Sequence, residues 1–106
     1  MYYNSLMHNT TTAKLTRKLS LIVGCIVMHN ITPEQLYAII GKNVAKYRKA
    51  KGLSQLDLSL QMGYKSVSVV SGSEICYSNK HFNLEQLLKI SQILDVDLCE
   101  FFTSDS

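Results

Sequence analysis

Four helix-start signals punctuate this chain after residue 31, and they constrain it more than any other feature. In Thr32-Pro33-Glu34-Gln35 the Thr can cap a helix, the Pro suits the first helical position, and the Gln stands three residues after the cap to complete a capping box. Ser54 with Asp57, and Asn83 with Gln86, repeat the spacing. Leu36, Ile39, Ile40, Val44 and Tyr47 make one apolar stripe, which predicts a helix from about Pro33 to Ala50. Lys49 and Lys51 stand at its C-terminal end, where the helix dipole favours cations, and Gly52 supplies the left-handed residue that stops it. A second, short helix runs from the Ser54 cap to about Met62, and Gly63 ends it. A third covers about Lys65 or Ser66 to Glu74. A polar connection, Cys76 to Phe82, leads to a fourth helix capped by Asn83, with a core stripe of Leu84, Leu87, Leu88, Ser91 and Leu94 widened by Ile90 and Ile93. Asp97 and Glu100 read as a last capping box before a short helix holding Leu98, Phe101 and Phe102. With no convincing strand pattern, the expectation is a compact five-helix, all-α domain over residues 32–106 behind an N-terminal extension, residues 1–31.

The extension is polar up to residue 18 and ends in the basic stretch Lys14 to Lys18. Leu19 to Met28 is a ten-residue apolar run, about half of the ~20 residues that cross a bilayer. Basic residues before a short apolar run imitate an export signal, and Ile22-Val23-Gly24-Cys25 fits a lipoprotein cleavage pattern, but the apolar run before Cys25 is only six residues long. The expectation is a cytoplasmic protein without membrane contact, in which this run packs on the domain or on a second copy. Met28 is an alternative start, which places residues 1–27 outside the natural protein.

The net charge of +3 is unevenly spread. Lys14, Arg17 and Lys18 account for all of it, because residues 34–106 carry eight basic and eight acidic side chains. Within that neutral part Lys42, Lys46, Arg48, Lys49, Lys51 and Lys65 face only Asp57, whereas Glu85, Asp95, Asp97, Glu100 and Asp105 outnumber Lys89 near the end. One basic flank suits an anionic polymer approached from one side, although solvated helix faces account for the same charges equally well. A chain of 106 residues without Trp, Gly-rich phosphate loop or nucleophile elbow reads as a binding module rather than an enzyme. Cys25, Cys76 and Cys99 match no metal or haem spacing, and an odd number argues against a disulfide scaffold. His8, His29 and His81 stand apart from any Cys or carboxylate cluster. No catalytic residue, metal or cofactor is expected.

The stretch Gln55 to Gly72 carries the functional signal. Two helices crossing steeply over a short turn need a small residue on the first helix, and Ser59 stands four residues after Gln55. The turn needs a residue that tolerates positive φ, and Gly63 is in place. Leu58, Met62 and Tyr64 supply apolar flanks, and Val69 is expected on the inner face of the second helix. An αα-hairpin in a bundle core can share these features. In Gly52-Leu53-Ser54-Gln55, Leu58-Ser59 to Met62-Gly63, Glu74, Leu84 to Ile90 and Leu94 to Phe102, the chain resembles the lambda-repressor-like, Cro-type helix-turn-helix domains over about residues 36–102. The resemblance implies double-stranded DNA binding and transcriptional regulation, as a repressor.

Two departures bear on the DNA-facing positions. Ser71 and Glu74 match the family's pattern, but Glu74 lies one residue further from Gly63 than is usual. Either an extra residue sits in the turn, or Val69 keeps the register and Gly72 replaces an apolar core residue. The second departure is chemical: the recognition helix offers Lys65, Ser66, Val67, Ser68 and Ser71 as base-reading residues, and no Arg, Asn or Gln. The resemblance assigns phosphate contacts to Ser54 and Gln55 and to Asn79, Lys80 and His81. Tyr47 and Tyr77 are expected in the core. Leu56 and Leu60, where the family usually has polar residues, are expected to pack on the N-terminal segment. Competing readings are an antitoxin-like module that binds a toxin and regulates itself through the same fold, and a domain that kept the fold but lost DNA binding. A homodimer is expected, joined through Leu19 to Met28 or through the Phe101–Phe102 end.

Overall fold

The computed structural model describes residues 30–104. They form four α-helices, α1 (Pro33–Ala50), α2 (Gln55–Gln61), α3 (Ser68–Glu74) and α4 (Leu84–Leu94), with 3-10 turns at Tyr77–Asn79 and Leu98–Phe102 and no strand among the described residues. The expected fifth helix is thus a 3-10 turn. The apolar run Leu19 to Met28 and its expected packing lie outside the described residues.

Local chemistry sets most of the boundaries. At α1 the Thr32 hydroxyl accepts from the Gln35 amide at 3.1 Å, and the Gln35 side chain accepts from the Thr32 amide at 2.9 Å. Ser54 and Asp57 exchange the same pair of bonds at 2.9 and 3.0 Å, as do Asn83 and Gln86 at 2.7 and 2.9 Å. Each box satisfies amides that a helix start leaves without partners. Gly52 (φ 81°) and Gly63 (φ 97°) turn the chain after α1 and α2 in the left-handed region open to glycine. The third helix starts two or three residues later than expected. Val67 stands in its N-cap position and offers no side-chain acceptor, so packing rather than capping places the start. Val70, not Val69, is the fully enclosed residue, and Val69 is half-buried.

The core gathers Ile40 and Val44 of α1, Leu58 of α2, Met62, Val70 of α3, Phe82, and Leu87, Ile90 and Leu94 of α4, closed by Phe101. Several expectations about it need correction. Leu84 and Leu88 lie on the outer face of α4, 70% and 49% exposed, because Gln86 and Lys89 share the side of the helix nearer α2. Gln86 donates to the Tyr64 hydroxyl at 3.0 Å and Lys89 to the Met62 carbonyl at 3.4 Å. Tyr77 is largely exposed, whereas Tyr47 packs edge-on against Phe101 at 6.0 Å. Phe101 is enclosed and Phe102 half-buried against the same core, so the pair leaves less apolar surface than its adjacency suggests.

Asp97 makes no side-chain cap. The terminal turn is held instead by Asn43, whose buried amide nitrogen donates to the Phe101 and Thr103 carbonyls, both at 2.8 Å. A close approach on the other side of α1 depends on Gly41: a methyl group there would stand 2.4 Å from the Glu74 carbonyl oxygen and 2.8 Å from that of Ser73. Ser59, fully buried on α2, has no hydrogen-bond partner for its hydroxyl among the described residues.

These two small residues have opposite expected responses to alanine. Gly41→Ala drives a methyl group into rigid backbone and is expected to cost roughly 1–3 kcal/mol. Ser59→Ala removes an unpartnered buried hydroxyl and should gain on the order of 1 kcal/mol. Urea unfolding midpoints of the two variants against the unaltered chain check both signs.

Candidate nucleic-acid interface

One end of α3 is anchored by charge. Arg48 of α1 and Glu74 of α3 are withdrawn from water, with side chains 8% and 3% exposed. The guanidinium donates through Nε to Glu74 Oε2 at 2.7 Å and through Nη2 to Oε1 at 3.1 Å, and its Nη1 donates to the Leu53 carbonyl at 2.8 Å. Gln55 adds a third donor to the carboxylate, Nε2 to Oε1 at 2.8 Å. The end of α1, the start of α2 and the end of α3 therefore meet at a single carboxylate. Arg48 belongs to this junction, so the basic flank expected from Lys42 to Lys65 loses it and rests on the exposed lysines at 42, 46, 49, 51 and 65.

The other end of α3 is open. Lys65, Ser66, Val67 and Ser68 are consecutive and all exposed. Only Ser68 belongs to the helix; Lys65, Ser66 and Val67 stand in the connection before it, a correction to their expected place on the helix. The Ser66 and Ser68 hydroxyls share a hydrogen bond at 3.0 Å. Ser71, one turn on, is half-buried and turns its hydroxyl back to the Ser68 carbonyl at 3.5 Å. Val70 occupies the core, one position later than the expected Val69, and Gly72 is buried on α3.

The two expected phosphate-binding groups stand at separate places along this surface. Ser54 is exposed at the start of α2, with its hydroxyl accepting from Asp57, while Gln55 is half-buried and commits one amide hydrogen to Glu74. Asn79, Lys80 and His81 are exposed in the connection after α3. That connection takes an unusual path: Cys76, Ser78 and Asn79 all have positive φ, at 56°, 53° and 65°. It brings Lys80 back over α3, where its side chain lies against Gly72. The His81 ring stacks on Tyr37 of α1, with centroids 3.7 Å apart and planes 5° from parallel, and its Nδ1 faces the Asn79 carbonyl at 3.2 Å. Beneath them is a shallow cavity of about 270 Å³ lined by Glu34, Tyr37, Cys76, Asn79, Lys80 and His81. Burial pushes the Cys76 thiol above its ordinary pKa, which leaves it a weak nucleophile at neutral pH. Among the described residues no three His, Cys, Asp or Glu side chains gather into a metal-binding group, and no helix is long and apolar enough to cross a membrane.

Arg48, Asn43, Tyr37 and Gly72 were absent from the expected site. The signal for Arg48 was present, because it continues the series Leu36, Ile40, Val44 at four-residue steps onto the buried face of α1. Comparison with family models, curated proteins and solved structures finds no match to this chain.

Two measurements test the junction and the α2 cap. Glu74→Gln leaves a buried guanidinium uncompensated and is expected to cost about 3–5 kcal/mol, whereas Arg48→Met with Glu74→Leu should recover most of that loss; chemical unfolding of the three chains decides. At the cap, the Ser54 backbone amide, and secondarily its side chain, hold the Asp57 carboxyl below its ordinary pKa. A lowered folded value means a contribution that is complete above the unfolded pKa and lost as the pH falls through the folded one. Stability measured down the acid limb should therefore fall less steeply in Asp57→Asn than in the unaltered chain.

Proposed function

We propose that this protein is a sequence-specific double-stranded DNA-binding regulator of the lambda-repressor-like, Cro-type kind, acting as a repressor. The observation that carries the reading is the asymmetry of α3. One end is locked to α1 and α2 through Glu74, while the other presents Lys65 to Ser68 with no cover among the described residues. A short helix held from behind and exposed at its start suits insertion into a major groove, where the first residues of such a helix meet base edges. The resemblance over residues 36–102 supports the same conclusion.

The chemistry of the exposed end sets what can be read. Lys65 can reach guanine, the Ser66 and Ser68 hydroxyls can donate or accept, and Val67 can cover a thymine methyl. With no Arg, Asn or Gln among them, direct discrimination is modest, and shape and half-site spacing carry a larger share. Ser54, Lys80 and the neighbouring Asn79 and His81 supply phosphate contacts that fix the approach. Two copies on a two-fold site combine their weak readouts, so the functional unit is a homodimer in the cytoplasm. A second reading is an antitoxin-like module that binds a protein partner and autoregulates. It draws on exposed Leu56 and Leu60 on one face of α2, 46% and 53% accessible, which have no cover among the described residues.

The first test is a salt titration of binding to duplex DNA from the chain's own upstream region. With about four to six phosphates neutralised, affinity should fall with a log–log slope near −0.9 per contact, and a flat titration is incompatible with the reading. Lys80→Ala should weaken all sequences about equally, and Ser68→Ala should alter the preference among sites by roughly 1–3 kcal/mol. Sedimentation of the full chain and of a version starting at Met28 reports the dimer and whether residues 1–27 make it. Stoichiometric capture of a toxin, with duplex binding confined to the chain's own upstream region, would favour the second reading.

A further inference from the structure

We propose that Gly72 is a seat for Lys80: the side chain missing from α3 leaves a groove in which the lysine stem lies, so that its ammonium is held at the α3 surface before any ligand arrives, positioned for a DNA phosphate. The role given to the ammonium rests on the DNA-binding reading; the seat itself does not.

A methyl group on Gly72 would lie 2.8 Å from Lys80 Cδ, 3.7 Å from Nζ and 3.8 Å from Cε. The first distance is shorter than two carbons tolerate, so any residue other than glycine displaces the stem. Gly72 is buried and Lys80 exposed, as expected when a lysine lays its methylenes over a surface and keeps its charged end in water. Glycine inside a helix weakens it relative to alanine and calls for a packing reason, which this contact supplies.

The connection is built to make the contact. Lys80 follows Gly72 by only eight positions, and the chain reverses between them through left-handed conformations at Cys76, Ser78 and Asn79. The Lys80 amide then donates to the Tyr77 carbonyl at 3.0 Å, which fixes where the side chain departs. Two non-glycine residues apart from Asn79 accept an unfavourable backbone region to bring this lysine back over the helix. A lysine free in water loses much of its rotamer freedom on gripping a phosphate. One already laid along a groove loses less. Gly72 therefore acts on binding through Lys80, as a positioning residue.

The test uses the full chain, a duplex of mixed sequence at ~50 mM salt and upwards, and the variants Gly72→Ala, Lys80→Ala, Lys80→Met and Gly72→Ala with Lys80→Ala. Phosphate grip carries no base identity, so a mixed sequence suffices. Removing the ammonium should lower the log–log salt slope by about 0.9, the value of one contact, whereas removing its seat keeps the charge and should weaken binding by roughly 2- to 10-fold with the slope little changed. The double variant should lose no more than Lys80→Ala alone. Lys80→Met keeps the stem without the charge and should match Lys80→Ala in slope. Thermal unfolding of Gly72→Ala should not fall below that of the unaltered chain, separating lost positioning from lost folding. In the free protein, nuclear Overhauser contacts between the Gly72 α protons and the Lys80 methylenes report the seat without DNA. Contacts present with no duplex binding by the unaltered chain would overturn the DNA reading and the role of the ammonium with it. Duplex binding with an unchanged affinity in Gly72→Ala, additive losses in the double variant, or absent contacts would overturn this proposal alone.

Discussion

The rest of the described structure depends on a carboxylate taken out of water. Glu74 sits where α1, α2 and α3 converge, and it is tolerable there only because Arg48 and Gln55 direct three donors at it. Its value is less in net stability than in uniqueness. A buried ion pair is roughly matched by well-packed apolar residues, but half of one is very costly. Arrangements of α3 that separate Glu74 from Arg48 are thereby excluded, whereas an apolar contact would tolerate sliding. Gly41 makes the approach possible, since any side chain there would collide with the backbone around Glu74. Electrostatics selects the geometry and a missing methyl group admits it.

This division of labour leaves α3 with two unlike halves. The end carrying Ser73 and Glu74 is buried and tied, while the start has no cap and a pair of serine hydroxyls bonded to each other. Serine hydroxyls at a helix start ordinarily accept from its free amides, and here Ser66 and Ser68 bond each other instead. On the proposed DNA-binding reading, a tied rear and an uncapped front suit hydroxyl and methyl contacts, because such contacts tolerate small shifts that bidentate pairs do not.

Capping chemistry was legible in the sequence because it is local. Thr32, Ser54 and Asn83 each find their partner three residues away, and Gly52 and Gly63 turn the chain whatever packs against them. What depends on distant contacts was not. The start of α3 is set by Val70 reaching the core, which spacing alone left open against Val69. The face of α4 is set by Gln86 and Lys89 reaching Tyr64 and Met62, which turns Leu84 and Leu88 outward against their hydropathy. For the candidate site, the consecutive exposed run Lys65 to Ser68 could be named from the motif. The return of Lys80 over Gly72 could not, because left-handed Cys76 and Ser78 have no sequence signature.

Asn43 gives the domain a dependence on its own last residues. Its amide closes on the Phe101 and Thr103 carbonyls, 58 and 60 positions further along the chain. During synthesis α1 emerges well before residues 101 and 103, and until they follow water satisfies the Asn43 amide. A compact form that buried α1 without them would leave this donor without an acceptor, and that penalty disfavours early compaction. Loss of residues 101–103 would thus remove more than a turn, because it takes away both acceptors of a donor buried in α1.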